Sequence, residues 1–155
     1  MLRPGALVAS GLFGISSMTA ECDRLIRRLL GKIENRVEEL TLCDQIAMDD
    51  AEIAIFAYGS VARSAQRAVS ILRKDGIKVG LIRPAILWPF PDQVVEAAAS
   101  RVSAFLVPEL NAGQLIHEVR RCADGKAAVR GLNRLDGELI TPTQIVSRVK
   151  EVWTA

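Results

Sequence analysis

Three short stretches of the sequence combine residue types that could bind an anion or another protein. The first, Tyr58–Arg63, contains Gly59, which permits a tight turn, followed by Ser60, whose hydroxyl can cap a helix. Backbone N–H groups at the start of such a helix, together with Arg63, could hold an anion. The stretch has neither the G-x-G-x-x-G nor the Walker spacing, so a capped helix without a ligand is the competing interpretation.

The second stretch, Arg83–Pro91, begins with an arginine and then places Trp88 and Phe90 among prolines that fix the path of the chain. Arg83 is a second candidate for an anion contact. The aromatic side chains permit two interpretations. They either fold back on the local core or form a contact surface for another domain, because exposed aromatic clusters mark interfaces.

The third stretch, Glu109–Gln114, places an acid at the end of an apolar run and follows it with Asn111, Gly113 and Gln114. The Asn111 and Gln114 spacing resembles a capping box, which predicts a helix that starts at Asn111. Glu109 would lie where a functional carboxylate could sit. One hypothesis is therefore a small enzyme that uses Glu109 with His117, although a lone helical histidine is more often structural.

Composition excludes several classes of function. The chain has 155 residues, one histidine and three cysteines, and its cysteines are too far apart for a C-x-x-C pair. We find no nucleophile triad and no paired carboxylates, so we assign no catalytic and no metal-binding residue. Twenty basic residues nearly balance 18 acidic ones, which argues against a nucleic-acid or membrane surface. Scattered cysteines are typical of a reducing compartment, and we expect a cytoplasmic protein.

A regular alternation of elements must position these stretches. Short apolar runs alternate with amphipathic segments from Ala51 to the end of the chain. This predicts an α/β fold, a three-layer α/β/α sandwich on a mostly parallel sheet, whose carboxyl edge gathers all three stretches. The predicted strands are Glu52–Tyr58, Lys78–Ile82, Val102–Val107 and Ala127–Leu132, and the predicted helices are Val61–Lys74, Asp92–Ser100, Asn111–Cys122 and Pro142–Trp153.

The segment before this alternation divides into two parts. Residues 1–18 form a lead-in, and its apolar run at 5–13 is interpreted as loose or strand-like because it is short and interrupted by glycine. Residues 19–50 contain a helix from Thr19 to about Leu40 and then a connector. Residues 51–155 make up the α/β domain.

Several of these segments, taken in order, resemble a known family. They are Ile55–Ser64, Leu72–Pro84, Leu87–Pro91, Val107–Leu115 and Asn133–Pro142. Together they resemble the C-terminal domain of the alpha subunit of 2-oxoacid:ferredoxin oxidoreductases, most of all the 2-oxoglutarate type, over residues 20–153. The resemblance implies a transketolase C-terminal-like, Rossmann-like sheet of five strands. One of these is an antiparallel edge strand, which would come from residues 5–10 or 43–48.

The resemblance also implies a function. Such enzymes oxidatively decarboxylate a 2-oxoacid to acyl-CoA on thiamine diphosphate with magnesium, and they reduce ferredoxin through iron–sulfur clusters. The family's alpha N-terminal domain, its diphosphate motif and its cluster cysteines do not occur in this sequence. We therefore expect a chain that binds no cofactor alone and is not catalytic alone. It would assemble with a thiamine-diphosphate-binding beta subunit and an alpha N-terminal domain in an oligomer.

The expected contact surfaces for those partners are the Trp88–Pro91 loop and the helix start at Gly113 and Gln114. An alternative is a free-standing anion-binding module. In that case a phosphate-bearing ligand would bind at Gly59 and Ser60 with Arg63 or Arg83.

Overall fold

The computed structural model describes the backbone of residues 6–153 and the side chains of residues 19–152, which fall into two compact units divided after Leu40. The first unit contains helix α1 (Ala6–Glu34) and helix α2 (Val37–Leu40). The prediction of a loose or strand-like run at residues 5–13 is wrong from Ala6 onward. Alanine and leucine favour a helix there despite Gly11. The helix expected to begin at Thr19 therefore begins at Ala6, and it ends at Glu34. No described stretch is long and apolar enough to cross a membrane.

The second unit is a five-stranded sheet in the order β1-β3-β2-β4-β5, with β1 antiparallel to β3 and the other strands parallel. This confirms the predicted α/β sandwich and places the antiparallel edge strand in residues 43–48. The elements are β1 (Cys43–Ile46), β2 (Ile53–Phe56), α3 (Val61–Lys74), β3 (Val79–Pro84), α4 (Asp92–Ala99), β4 (Ala104–Glu109), α5 (Leu115–Ala123), β5 (Ala128–Asn133) and α6 (Pro142–Trp153).

Successive residues of the central strands point to opposite faces, so each strand contributes to two cores. In β2, Ile53 and Ile55 pack with α3 and α6, whereas Ala54 and Phe56 pack with α4 and α5. Every residue of β2 and β4 is buried, while the residues of β5, an edge strand, are half-buried or exposed. The result is the predicted three-layer arrangement.

Local capping signals explain why two helices have the predicted bounds. At the start of α6, the Thr141 N–H donates to Gln144 Oε1 at 2.8 Å and the Gln144 N–H donates to Thr141 Oγ1 at 3.3 Å, which is a reciprocal capping box. At the end of α3, Gly76 adopts a φ of +81°, a left-handed conformation that stops the helix.

The connector between β1 and β2 lies closely against the sheet. Gly80 of β3 leaves space for it, because a Cβ there would lie 2.4 Å from Met48 Sδ and 2.8 Å from the Ala47 carbonyl oxygen. Arg73 of α3 ties this connector to β3, because it donates to the Ala47 carbonyl oxygen at 2.6 Å and to the Val79 carbonyl oxygen of β3 at 2.8 Å. Its Nη1 also pairs with Asp50 at 2.7 Å, and this contact lowers the pKa of the Asp50 carboxyl.

Candidate functional site

The candidate site is the crevice between the carboxyl ends of β2 and β4. The chain leaves β2 toward α3 on one face of the sheet and leaves β4 toward α5 on the opposite face. Ligands of open α/β sheets bind at such a divergence. Because β3, β2 and β4 are parallel neighbours, their carboxyl ends lie at the same end of the sheet. The stretches Tyr58–Arg63, Arg83–Pro91 and Glu109–Gln114 therefore all lie there, as predicted.

Glu109, the last residue of β4, fills the crevice with its carboxylate and is 1% exposed. Its Oε1 accepts the N–H of Leu115 at 3.0 Å and that of Gln114 at 3.3 Å. Its Oε2 accepts the N–H of Ile116 at 3.2 Å. The carboxylate thereby occupies the electropositive N-terminus of α5, the place where an external anion would bind.

The Tyr58 hydroxyl and Asn111 complete the polar cluster. Tyr58 donates its hydroxyl hydrogen to Glu109 Oε1 at 3.0 Å and accepts a hydrogen bond from Asn111 Nδ2 at 3.0 Å. The role of this hydroxyl was missed by the sequence reasoning. The one indication in the sequence is that Tyr58, the single tyrosine, stands at the end of a predicted buried strand.

The prediction that a helix starts at Asn111 is wrong, because α5 begins at Leu115. Asn111 Oδ1 instead accepts the N–H groups of Gly113 and Gln114 at 2.8 and 3.1 Å and shapes a turn. Gly113 has a φ of +97°, which interrupts a helical path. The acceptor at the start of α5 is therefore the distant Glu109 rather than a local capping box.

Burial, then the Glu109 charge and its hydrogen bond, raise the pKa of Tyr58 above the ordinary phenol value of 10.0. Because the pKa of Tyr58 is higher in the folded chain than in the unfolded chain, the protonated hydroxyl contributes to the stability of the fold. This contribution is complete below pH 10.0 and is lost as the pH rises through the folded-state pKa. Since Tyr58 is the only tyrosine, we expect phenolate absorbance of the full chain to appear above the pH at which it appears in the unfolded chain.

The measurement is a spectrophotometric pH titration, with circular dichroism recording the folded fraction at each pH. Tyr58→Phe is the control and must remove the absorbance change. A native-state titration at or below the pH of the unfolded chain would contradict the hydrogen-bonded geometry of Tyr58.

The start of α3 differs from its prediction in one respect. Gly59 makes the expected turn with a φ of +57°, and Arg63 is exposed. Ser60, however, makes no side-chain capping bond, because its backbone is already helical with φ −65° and ψ −33°. An N-cap hydroxyl reaches the first turn from an extended backbone. The prediction of Ser60 as a cap is therefore wrong.

Arg83 lies at the same edge but already has a partner. Asp44 of β1 stands opposite Arg83 of β3 in the antiparallel register. Arg83 Nε donates to Asp44 Oδ2 at 3.0 Å, and its Nη2 reaches the same oxygen. This ion pair joins the outer strand β1 to its neighbour β3.

The two aromatic side chains of the 83–91 stretch have different environments. Phe90 is 6% exposed and packs on Phe56 with ring centroids 5.4 Å apart. Trp88 is 69% exposed. Phe90 therefore belongs to the core, whereas Trp88 is exposed at the surface, and a contact surface for another domain stays a prediction for Trp88.

The remaining candidates for metal or catalytic chemistry are His117 and the cysteines. His117 is exposed on α5, and nothing places it on the Glu109 carboxylate. Among the side chains of residues 19–152, no three histidine, cysteine or acidic groups lie close enough to bind a metal ion. Burial raises the pKa of the Cys43 and Cys122 thiols to about 11 and about 12, which keeps them protonated. Neither thiol is therefore activated as a nucleophile at neutral pH.

The fold of the second unit is transketolase-like. A split-gene transketolase structure, an inactive beta4 tetramer, matches with a TM-score of 0.60 at 20% identity, over 73% of this chain and 41% of that one. Residues 51–145 match the family described as pyruvate:ferredoxin oxidoreductase core domain II. The chain belongs to this family.

Two further matches are to proteins named for 2-oxoglutarate. A 2-oxoglutarate synthase subunit KorA from Methanothermobacter thermautotrophicus is 36% identical over 126 residues, which are 81% of this chain and 34% of that subunit. The structure of 2-oxoglutarate:ferredoxin oxidoreductase from Magnetococcus marinus, with 2-oxoglutarate, coenzyme A and succinyl-CoA bound, matches with a TM-score of 0.71 at 29% identity. The match covers 85% of this chain and 23% of the chain in that structure. The chain thus spans about a third of the KorA relative.

Proposed function

We propose that this chain is the C-terminal domain of the alpha subunit of a 2-oxoacid:ferredoxin oxidoreductase, with 2-oxoglutarate as the substrate of the assembled enzyme. The family match over residues 51–145 is the observation that carries this proposal. The choice of 2-oxoglutarate is supported by the KorA relative and by the Magnetococcus marinus structure, whose names both refer to this substrate. The assembled enzyme would produce an acyl-CoA, reduce ferredoxin and work in the cytoplasm.

Within that enzyme the chain would have a supporting role. The Glu109 carboxylate, which the sequence made a candidate for a catalytic role, already accepts three backbone N–H groups and one hydroxyl. These contacts support a structural role, in which Glu109 holds the start of α5 in place. The described residues also do not fit thiamine diphosphate with magnesium, because no metal-binding cluster is present among them and Glu109 fills the α5 N-terminus.

The same geometry argues against the alternative of a free-standing phosphate-binding module. Of the groups predicted to hold the phosphate, Arg83 is paired with Asp44, and Ser60 does not turn its hydroxyl to the helix start. Gly59 and Arg63 alone provide one helix N-terminus and one exposed cation. No specific observation favours that alternative over the domain role.

The contact surface that we propose for the partner polypeptides is the Trp88 side chain with the Gly113 and Gln114 turn. Trp88 is exposed beside a buried Phe90 that fixes the loop, and Gln114 is exposed beside the anchored start of α5. Aromatic side chains presented from a rigid base are frequent binding hot spots. The partners would be a thiamine-diphosphate-binding beta subunit and an alpha N-terminal domain.

We expect the full chain alone to show no 2-oxoglutarate-dependent ferredoxin reduction, and its addition to those two partners to restore the activity. Trp88→Ala should weaken its co-purification with them about tenfold, since a hot-spot residue contributes 1.4 kcal/mol or more. The control is Arg101→Ala, which alters an exposed side chain at the opposite edge of the sheet. Turnover by the chain alone, or a stable monomer in the native lysate, would contradict the proposal.

A further inference from the structure

The outer edge of the sheet at β5 directs a row of backbone hydrogen-bonding groups away from the domain. β5 pairs with β4 in one unbroken parallel register over all six of its residues. The Ala128 N–H donates to the Ser103 carbonyl oxygen and the Arg134 N–H donates to the Glu109 carbonyl oxygen, both at 3.0 Å. Even-numbered residues of β5 therefore direct their backbone groups toward β4. The odd-numbered residues direct theirs outward: Val129, Gly131 and Asn133.

These outward groups have no partner in the part of the chain that the structure describes. β5 is the last strand of the sheet, and no described residue makes a hydrogen bond to the N–H of residues 129, 131 or 133. Proteins usually protect such an edge with a proline, a bulge or a very short strand, and β5 has none of these. An extended polypeptide can add to an edge of this kind through main-chain hydrogen bonds.

A groove lies beside the same edge, between β5 and α6. Its volume is about 430 Å³, and its β5 side is formed by Gly131, Leu132 and Asn133. Arg148 and Glu151 of α6 line its other side, and they pair with each other at 2.6 Å, so they add no net charge. When a strand adds to an edge, neighbouring pockets hold its alternate side chains. The groove offers such a pocket next to the outward backbone groups.

Arg130 gives this edge its charge. Its side chain is exposed, and no described acid pairs with it. Leu132 packs into the core on the α6 side of the sheet, so Arg130, two residues away in the strand, lies on the same side. A carboxylate on a neighbouring strand would pair with it, since opposite charges on adjacent strands attract. β5 itself contains no acid, so a second copy of this strand would bring a further arginine instead.

We propose that the β5 edge binds an extended segment of another protein, which joins the sheet as a sixth strand and places an acidic side chain beside Arg130. The outward N–H and C=O groups of β5 match an extended backbone, the groove receives a side chain, and the unpaired arginine selects an acid. The inference goes beyond the proposed function and does not depend on it, because all three features belong to this domain.

Peptide selection on the full chain tests this site. Random nine-residue peptides displayed on phage are selected on the immobilised chain, and the binders are synthesised. We expect them to contain an acidic residue. In NMR titrations the amide signals of Val129, Gly131 and Asn133 should shift, and these amides should exchange more slowly with water in the complex. Binders that affect only amides outside β5, or a selection that yields no binder, would overturn the proposal.

N-methylation of the selected peptide shows whether it binds as a strand. Methylation of the alternate residues whose N–H groups face β5 should weaken binding at least about tenfold, because each removes a main-chain hydrogen bond and adds a clash. Methylation of the residues between them should have little effect. The protein itself is unchanged in this comparison, so folding does not complicate it. Equal effects of the two series would contradict strand addition.

The charge preference is tested with Arg130→Glu, which should weaken binding of an acidic peptide about tenfold and favour its lysine-substituted counterpart. Arg67→Glu is the matched control, because Arg67 is an exposed arginine on α3, which joins β2 to β3. It should leave binding unchanged. Equal binding by both variants would show that Arg130 does not select the partner.

Discussion

Replacement of Glu109 by alanine is expected to lower the free energy of unfolding by about 4 kcal/mol, because it removes the acceptor for four hydrogen bonds. Each buried donor left without a partner costs about 1–3 kcal/mol. Two of these donors, the Leu115 and Ile116 N–H groups at the start of α5, would lose their acceptor, whereas the Gln114 N–H keeps Asn111 Oδ1. The loss of a negative charge at a helix N-terminus adds to the effect.

Equilibrium urea unfolding measures this change, and Glu109→Gln separates its causes. The amide oxygen of glutamine can still accept hydrogen bonds, whereas its NH₂ group would face an N–H donor, so we expect about half of the alanine effect. Glu138→Ala, which replaces an exposed acid, should change the unfolding free energy by no more than about 0.5 kcal/mol. An equal and small effect for all three variants would show that the Glu109 cluster contributes little to stability.

Replacement of Gly80 by alanine is expected to lower the free energy of unfolding by about 2–3 kcal/mol. The added Cβ would meet Met48 Sδ at 2.4 Å and the Ala47 carbonyl oxygen at 2.8 Å. Met48 can adjust its side chain, but Ala47 is held by Arg73 and has a φ of +54°. Because the backbone cannot move away cheaply, the substitution overpacks the core.

Gly131→Ala in β5 is the matched control for Gly80→Ala. Its Cβ would lie 2.7 Å from Asn133 Oδ1 and 3.1 Å from Ile116 Cδ1, both at the ends of flexible side chains. We expect an effect below about 1 kcal/mol, partly offset by the lower entropy of the unfolded chain. Urea unfolding of both variants gives the comparison. A larger effect at Gly131 than at Gly80 would contradict the close contact of the connector with β3.

Local signals were sufficient to predict the elements whose ends are fixed by neighbours in sequence. The helix Val61–Lys74 ends at Asp75-Gly76, and Pro142–Trp153 begins with the Thr141 capping box, so both were predicted with their observed bounds. The family segments added the antiparallel edge strand. Periodicity alone could not have indicated that strand, since its four residues lie at an edge and are only partly buried.

Features that depend on distant residues could not be predicted in this way. The start of α5 was placed four residues too early, because its acceptor is Glu109 and not Asn111. Arg83 was considered an anion contact, because its partner Asp44 lies on a strand that only the folded sheet brings opposite to it. The close contact at Gly80 is one that the sequence can indicate, since a glycine inside an apolar strand often marks a close approach of another segment.

The carboxylate in the crevice has a consequence for how such a domain can be distributed among genes. A domain whose crevice was filled by a diffusible anion would depend for its stability on the concentration of that anion. Here the anion is encoded in the polypeptide at Glu109, and it is present whenever the chain is translated. A gene that encodes this domain, alone or joined to other domains, therefore also encodes the anion that this helix start accepts.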